Sequence, residues 1–101
     1  MFVSIIIPTY NEADDIRQTL DSLVALDYED KEIIVVDASQ DNTPQIVRSY
    51  STKQVTLIIQ SRGKGRAAAR NEGILAARGE IVIILNADVR LPSDFIQPPR
   101  N

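Results

Sequence analysis

The sequence predicts an α/β protein built around a parallel β-sheet. Short apolar runs rich in β-branched residues recur four times, at residues 3–7, 32–36, 55–59 and 81–85. A helical pattern lies between each pair of consecutive runs, and the connections are short. This βαβαβαβ order favours parallel strands joined by right-handed crossovers, so we expect helices on the faces of one sheet.

The composition is that of a soluble globular domain. The chain has 101 residues, of which 44% are hydrophobic and 25% are charged, and we expect one domain over residues 1–101. A net charge of -3 argues against nucleic-acid binding through a basic surface. No apolar run approaches the roughly 18 residues of a membrane span, and the first residues lack the basic region of a signal peptide.

Two residue types with distinctive chemistry are among those missing from the sequence, and this limits the reactions it can support. There is no cysteine and no histidine, which excludes disulfides, thiolate metal sites and histidine acid–base catalysis. The lack of cysteine suits a reducing compartment, so we expect a cytoplasmic protein.

Residues at the helix ends suggest where the helices begin and stop. Asn11 is the expected N-cap of the first helix, which is predicted to end near Leu26. The third helix is alanine-rich and predicted over 67–77, with Gly79 placed as its C-cap.

The strand at 81–85 is the element around which the predicted site is arranged. Its continuous apolar character predicts burial on both faces. Asn86 and Asp88 follow it directly, and their oxygens suit a hard cation such as Mn²⁺ or Mg²⁺. The alternative is that these two residues form only a polar turn.

Polar loops follow all four predicted strands, and a parallel sheet gathers them on one edge, where ligands bind in such folds. The acids there are Glu12, Asp37 and Asp88, and the bases are Arg62, Lys64 and Arg66. Acids and bases together predict a metal bridging a diphosphate, with cations neutralising the remaining charge. Tyr10 adds a ring that could stack on a base. Taken singly, Tyr10 is more typical of a half-buried aromatic at a loop, each base is more typical of a solvated surface, and Asp37 could be a helix N-cap or turn residue.

A glycine-rich segment offers a competing interpretation. Gly63-x-Gly65-x-x-Ala68 fits the dinucleotide-binding fingerprint and lies between a predicted strand and a helix. That fingerprint normally follows the first strand, whereas here it follows the third. A nicotinamide-dependent oxidoreductase is therefore kept as an alternative.

Four motifs together resemble family 2 glycosyltransferases. The matching segments are Val3-Ser4-Ile5-Ile6-Ile7-Pro8-Thr9-Tyr10-Asn11-Glu12, Glu32-Ile33-Ile34-Val35-Val36-Asp37 with Ser39, Asp41 and Thr43, Ala69-Arg70-Asn71-x-Gly73 with Ala77-x-Gly79-Glu80, and Asn86-Ala87-Asp88. They cover nearly the whole chain. The resemblance implies the GT-A fold, here a Rossmann-like half-domain with three α/β/α layers and about four parallel strands in the order 3-2-1-4.

The resemblance also implies roles for particular residues in binding a nucleotide-diphosphate sugar, UDP- or GDP-linked. The implied roles are Pro8, Thr9, Tyr10 and Glu12 at the base and ribose, Asp37 on the base, Lys64 and Arg66 near the diphosphate, Asn86 facing the ribose or sugar, and Asp88 binding Mn²⁺ or Mg²⁺. The family transfers a sugar from such a donor, typically with inversion.

The chain departs from the family pattern in three ways. Asn86 stands where the family has the first acid of its Asp-x-Asp, and one acid, Asp37, precedes Ala38-Ser39 where the family often has two. Family members also continue for a second half that carries the acceptor site and the catalytic base. We therefore expect a truncated, donor-binding half that is inactive alone, with no catalytic residue assigned. A self-associating module that uses the exposed edge of the 81–85 strand is the other alternative.

Overall fold

The computed structural model describes residues 1–96, and the last five residues of the expected 1–101 unit lie outside the described range. Strands and helices alternate through the described residues. The elements are β1 (Val3–Thr9), α1 (Ile16–Val24), β2 (Lys31–Asp37), α2 (Thr43–Arg48), β3 (Val55–Ile59), α3 (Gly65–Ala76) and β4 (Ile81–Ile84).

The four strands form one parallel sheet in the order β3-β2-β1-β4, which confirms the expected topology. Ile5 of β1 is aligned with Ile33 of β2 on one side and with Ile83 of β4 on the other. Ile33 is in turn aligned with Val55 of β3. Because every pair is parallel, the carboxyl ends of all four strands lie along one edge of the sheet.

Helices cover both faces of the sheet, as a three-layer α/β/α arrangement requires. One face of the sheet buries an apolar cluster with α1 and α2, in which Ile5 and Ile33 meet Leu20 and Val47. The other face buries a smaller cluster beneath α3, centred on Ile6, Ile34, Val36 and Ala69. None of the helices within residues 1–96 has the length and apolar character that a membrane span needs.

The expectation that the 81–85 strand is buried on both faces is wrong. Ile81, Val82 and Ile84 expose 44%, 39% and 40% of their surface. β4 lies at the edge of the sheet and pairs with β1 on one side. α3 packs on β1 and β2 and therefore leaves β4 largely uncovered on that face.

Two expected helix caps are also wrong. Asn11 does not cap α1, which begins at Ile16 after the N-cap residue Asp15 and ends at Val24. Gly79 does not cap α3, whose C-cap is Ala77 in an extended conformation. A Cβ on Gly79 would lie 2.6 Å from the backbone nitrogen of Ser4, so the glycine is needed for close packing of the chain against β1.

A buried carboxylate holds β4 to the centre of the sheet at the amino edge. Glu32 Oε2 accepts hydrogen bonds from Ser4 Oγ (2.6 Å) and from the backbone N–H of Arg78 (2.7 Å). The N–H of Gly79 donates to Ser4 Oγ (2.8 Å). Burial alone would raise the pKa of Glu32, but the hydrogen bonds from Ser4 and Arg78 outweigh it and lower the pKa below its ordinary value.

Candidate functional site

A cavity of about 760 Å³ opens at the carboxyl edge of the sheet. One wall comes from the ends of β1 and β2, through Pro8, Thr9, Tyr10, Ala38 and Gln40. The opposite wall comes from the end of β3 and the start of α3, over residues 60–66. Pockets of this volume commonly hold small-molecule ligands, and this edge is where open α/β sheets bind them.

The β1 wall combines a firmly held backbone with an exposed aromatic ring. The N–H of Ala38 donates to the carbonyl of Thr9 (3.0 Å), which continues the β1–β2 pairing to the edge. Tyr10 follows and exposes 62% of its surface at the cavity. An exposed ring on a rigid support can stack against a planar ligand.

Asp37 lies behind this wall, with 1% of its surface exposed. Its Oδ1 accepts hydrogen bonds from Thr9 Oγ1 and Ser39 Oγ, both at 2.6 Å. Its Oδ2 accepts the N–H of Ser39 at 3.0 Å. The carboxylate is thus fixed by two hydroxyl groups and a backbone amide, and its partner Thr9 lines the cavity.

The basic loop of residues 61–66 is shaped by side chains on either side of it. Gln60 Nε2 donates to the carbonyls of Gly63 (3.2 Å) and Gly65 (3.1 Å), and both glycines have positive φ, 99° and 84°. Glu72 Oε1 accepts the N–H groups of Ser61 (3.0 Å) and Arg62 (3.1 Å). These bonds lower the pKa of Glu72, which keeps it charged.

The loop delivers positive charge to the cavity. Lys64, Gly65 and Arg66 all line it, and α3 begins at Gly65. No side chain among the described residues caps the first turn of α3. Open backbone N–H groups at a helix N-terminus, together with two cationic side chains, favour an anion such as a phosphate.

The segment after β4, residues 86–88, is held by hydrogen bonds to α1 and to the basic loop. Ala87 is buried, and its carbonyl accepts a hydrogen bond from Thr19 Oγ1 of α1 at 2.5 Å. The flanking Asn86 and Asp88 are exposed. Arg66 Nη1 donates to Asn86 Oδ1 at 3.3 Å, which links the basic loop to this segment.

The carboxylates of Glu12 and Asp88 interact electrostatically. Burial raises the pKa of Glu12, and the neighbouring carboxylates of Asp15 and Asp88 raise it further. The backbone N–H of Tyr10 and the guanidinium of Arg66 act in the opposite direction. A region of mutually repelling carboxylates beside a cationic loop is suited to a bound cation that is shared with an anionic ligand.

The donor groups fit a divalent cation held mainly by its ligand. No group of three or more acidic, histidine or cysteine side chains within residues 1–96 forms a ready-made metal cage. Mg²⁺-type ions are commonly bound by one or two carboxylates together with substrate phosphates. Exposed Asp88, with Asn86 beside it, satisfies that requirement.

The structure places the predicted site residues at one edge but not all in the cavity wall. Those that line the cavity are Pro8, Thr9, Tyr10, Lys64 and Arg66. Asp37 is hydrogen-bonded to Thr9 and Asn86 to Arg66, and both of these partners line the cavity. Glu12 and Asp88 do not line the cavity, and Glu12 interacts electrostatically with Asp88 and with Arg66, which does line it.

Sequence reasoning missed three polar residues that line the cavity, Gln40, Gln60 and Ser61. Gln60 follows β3 directly, so the rule that selected Asp37 after β2 could have found it. Gln40 is positioned by contacts between two loops and has no local sequence signal.

The chain was compared with known proteins. The family whose model matches the sequence is Glycosyl transferase family 2, over residues 4–98. Glycosyltransferase AglE from Haloferax volcanii is 40% identical over 92 residues, covering 86% of this chain and 30% of the relative. A poly-beta-1,6-N-acetyl-D-glucosamine synthase from Staphylococcus epidermidis is 37% identical over 97 residues, covering 91% of this chain and 23% of the relative.

Solved structures agree with these matches. The mannosyltransferase PcManGT from Pyrobaculum calidifontis, in complex with GDP-Man and Mn²⁺, superposes with a TM-score of 0.82 at 40% identity, covering 89% of this chain and 28% of that one. TarS 1-349 from S. aureus in complex with UDP gives 0.81 at 33% identity, covering 93% and 29%.

This chain therefore spans less than a third of the length of each of these proteins. The comparisons favour neither the oxidoreductase nor the non-catalytic module. The family model covers nearly the whole chain, and the sheet order and parallel strands agree with its GT-A structural neighbours. The chain belongs to glycosyltransferase family 2.

Proposed function

We propose that this chain is the donor-binding part of an inverting family 2 glycosyltransferase. It binds a nucleoside-diphosphate sugar, UDP- or GDP-linked, together with Mn²⁺ or Mg²⁺. The observation that carries the proposal is the 760 Å³ cavity, which has an exposed aromatic ring on one wall and a cationic loop at a helix N-terminus on the other. The relatives named above, one in complex with UDP and one with GDP-Man and Mn²⁺, support it.

The two walls correspond to the two ends of such a ligand. The base and ribose lie along Pro8, Thr9 and Tyr10. Asp37, which accepts a hydrogen bond from the cavity-lining Thr9, is the proposed hydrogen-bonding partner for the base. The diphosphate lies against Lys64 and Arg66, whose charges offset those of the phosphates. The whole 1–101 chain acts as one nucleotide-sugar-binding unit.

The metal completes the site at the diphosphate. Asp88 binds the cation, and Asn86, held by Arg66, faces the ribose or sugar. A cation held by Asp88 would neutralise part of the charge of the diphosphate. Glu12 lies at the ribose side and has its pKa raised by burial and then by neighbouring carboxylates, so a nearby cation also relieves repulsion.

Inverting transfer needs a base that deprotonates the acceptor, and each acid that we place at the donor, Glu12, Asp37 and Asp88, already has another role. We therefore propose that this chain alone binds the donor but does not transfer sugar. An assay for transfer from UDP- or GDP-linked sugars to water or simple saccharides tests this; sugar transfer by the purified chain would refute it.

Titration calorimetry with UDP and with GDP, each with and without Mn²⁺, tests the binding proposal. We expect one of the two nucleotides to bind with an affinity that Mn²⁺ increases. In Asp88→Asn the increase is lost while metal-free binding remains. Asp30→Asn removes the same charge at the amino edge of the sheet and serves as the control. Absence of binding of both nucleotides at millimolar concentration would overturn the proposal.

A further inference from the structure

Two loops that form one wall of the cavity are tied together by Asn11. This residue lies in the β1–α1 loop, residues 10–15, and its side-chain Oδ1 accepts two backbone N–H groups of the β2–α2 loop, residues 38–42. The donors are Gln40 at 2.8 Å and Asp41 at 3.3 Å. A single amide oxygen thus satisfies two consecutive amides of a neighbouring loop.

The second loop returns the interaction with its own side chains. Three consecutive backbone N–H groups of the first loop donate to oxygens from the second loop and the start of α2. These bonds are Asn11 N to Ser39 Oγ (2.7 Å), Glu12 N to Thr43 Oγ1 (2.9 Å) and Ala13 N to Asp41 Oδ2 (3.3 Å). We call this reciprocal set, made by the side chains of Asn11, Ser39, Asp41 and Thr43, the inter-loop clasp.

Asp41 has a second function within the clasp. Its Oδ1 accepts hydrogen bonds from the side-chain hydroxyl of Thr43 at 2.5 Å and from the backbone N–H of Thr43 at 2.9 Å. The carboxylate therefore orients the hydroxyl that receives the N–H of Glu12. These hydrogen bonds lower the pKa of Asp41, so the acceptor stays ionised at neutral pH.

The backbone of Asn11 is held in an uncommon conformation. Its φ is 54°, in the left-handed region, which asparagine tolerates better than most residues. Such conformations persist where the surroundings determine them and often occur near functional sites. Here the clasp fixes both the amide N–H and the side chain of the residue.

The clasp is adjacent to the cavity along both loops. Tyr10 precedes Asn11, Ala38 precedes Ser39, and Gln40 donates directly to Asn11; Tyr10, Ala38 and Gln40 all line the cavity. We infer that Asn11 and Asp41 are positioning residues, which build this wall before a ligand arrives. The inference rests on the proposed function, since the ligand it concerns is a nucleoside diphosphate.

The physical consequence lies in the affinity for the nucleotide. A loop that is ordered in the free protein does not have to be ordered during binding, which strengthens the complex. Without the clasp, Tyr10 and Gln40 would sit on loops joined mainly by their flanking strands. We therefore expect loss of the clasp to weaken nucleotide binding more than it changes the fold.

Three variants test whether the side-chain oxygen of Asn11 is what the nucleotide affinity depends on. Asn11→Gly tolerates the positive φ but removes the side-chain acceptor. Asn11→Asp keeps an oxygen in the same place and is the conservative rescue. Asp14→Asn, on an exposed residue of the same loop that takes no part in the clasp, is the control. UDP and GDP affinities are measured with Mn²⁺ at a temperature where every variant is fully folded.

We expect Asn11→Gly to bind the nucleotide about tenfold more weakly, with Asn11→Asp and Asp14→Asn within about twofold of the parent chain. In the unliganded protein, hydrogen exchange at the Gln40 and Asp41 amides should speed up in Asn11→Gly and not in the control. A parent chain that binds neither nucleotide overturns the proposed function and the inference with it. Binding by the parent chain with unchanged affinity in Asn11→Gly overturns the inference alone.

Discussion

β2 and β4 have nearly the same sequence character but opposite environments. β2 begins with Lys31 and Glu32 and continues with four β-branched residues, and β4 is a similar apolar run that is preceded by Glu80. Every residue of β2 is buried, whereas three of the four residues of β4 are exposed. Local hydrophobicity therefore does not decide how deeply a strand is buried in this protein.

Position in the sheet accounts for the difference. β2 pairs with strands on both edges, and α3 covers one of its faces while α2 packs on the other. β4 pairs with β1 alone within the described residues, and the side chains of Val82 and Ile84 point to the face of Ile6 beyond the reach of α3. The apolar run of β4 therefore does not predict its burial, because burial depends on neighbours that are distant in the sequence.

The largest expected effect comes from shortening one isoleucine side chain in each of the two strands and comparing the losses of stability. Ile33 is fully buried, so Ile33→Ala should lower the free energy of unfolding by about 2–5 kcal/mol through lost burial and an added cavity. Ile84→Ala should cost about 1 kcal/mol or less, because the residue is already 40% exposed. Urea denaturation measures both, and equal losses would contradict the assigned burial.

A second pair compares the glutamates that precede the two apolar runs. Glu32→Ala leaves the buried Ser4 hydroxyl and the Arg78 amide without their acceptor, so we expect a loss of about 1–3 kcal/mol. Glu80 is exposed, and Glu80→Ala should change stability by no more than about 0.5 kcal/mol. A Glu32→Ala protein as stable as the parent would show that the amino-edge network does not hold β4.

The exposed side of β4 also predicts association. We propose that the chain self-associates at high concentration through this edge, since an apolar edge strand invites pairing. Val82→Lys should shift the protein towards monomer in sedimentation velocity, and Thr56→Lys on the opposite edge strand β3 should not. A parent chain that remains monomeric at millimolar concentration would contradict the proposal.

The smallest expected effect is a dependence of stability on pH. Glu32 has a pKa lowered from its ordinary 4.5, so its charged form stabilises the fold. That contribution is fully present above about pH 4.5 and is lost as the pH falls through the lower, folded-state pKa. The stability difference between the parent and Glu32→Gln should therefore shrink on acidification below that value, and a constant difference would contradict this.

Much of the fold could be predicted from the sequence because its signals are local. The alternation of β-branched runs with helical patterns gave the parallel sheet, and the motif resemblance gave the strand order. The two predicted helix caps were wrong because these residues make contacts with distant parts of the chain. Asn11 bonds to Gln40 and Asp41 across two loops instead of capping α1, and Gly79 packs on Ser4 instead of ending α3.

In the candidate site, too, features with a local sequence signal could be predicted and contacts between distant segments could not. Residues at or just beyond the carboxyl ends of strands, such as Thr9, Asp37 and Asn86, could be assigned to one edge because the strands are parallel. The contacts between these residues at that edge could not be predicted. Asp37 accepts a hydrogen bond from Thr9, and Asn86 accepts one from Arg66. Those relations depend on side-chain contacts between segments far apart in the chain.

The most direct test of the account is a map of backbone amide NMR shifts as UDP or GDP is added with Mg²⁺, which avoids the paramagnetism of Mn²⁺. We predict that the shifts with one of these nucleotides concentrate at Tyr10, Ala38 and residues 61–66, on the two walls of the cavity, and leave β4 and the amino edge around Glu32 unchanged. Shifts centred on β4, or none with either nucleotide at millimolar concentration, would contradict the claim that this edge of the sheet binds the donor.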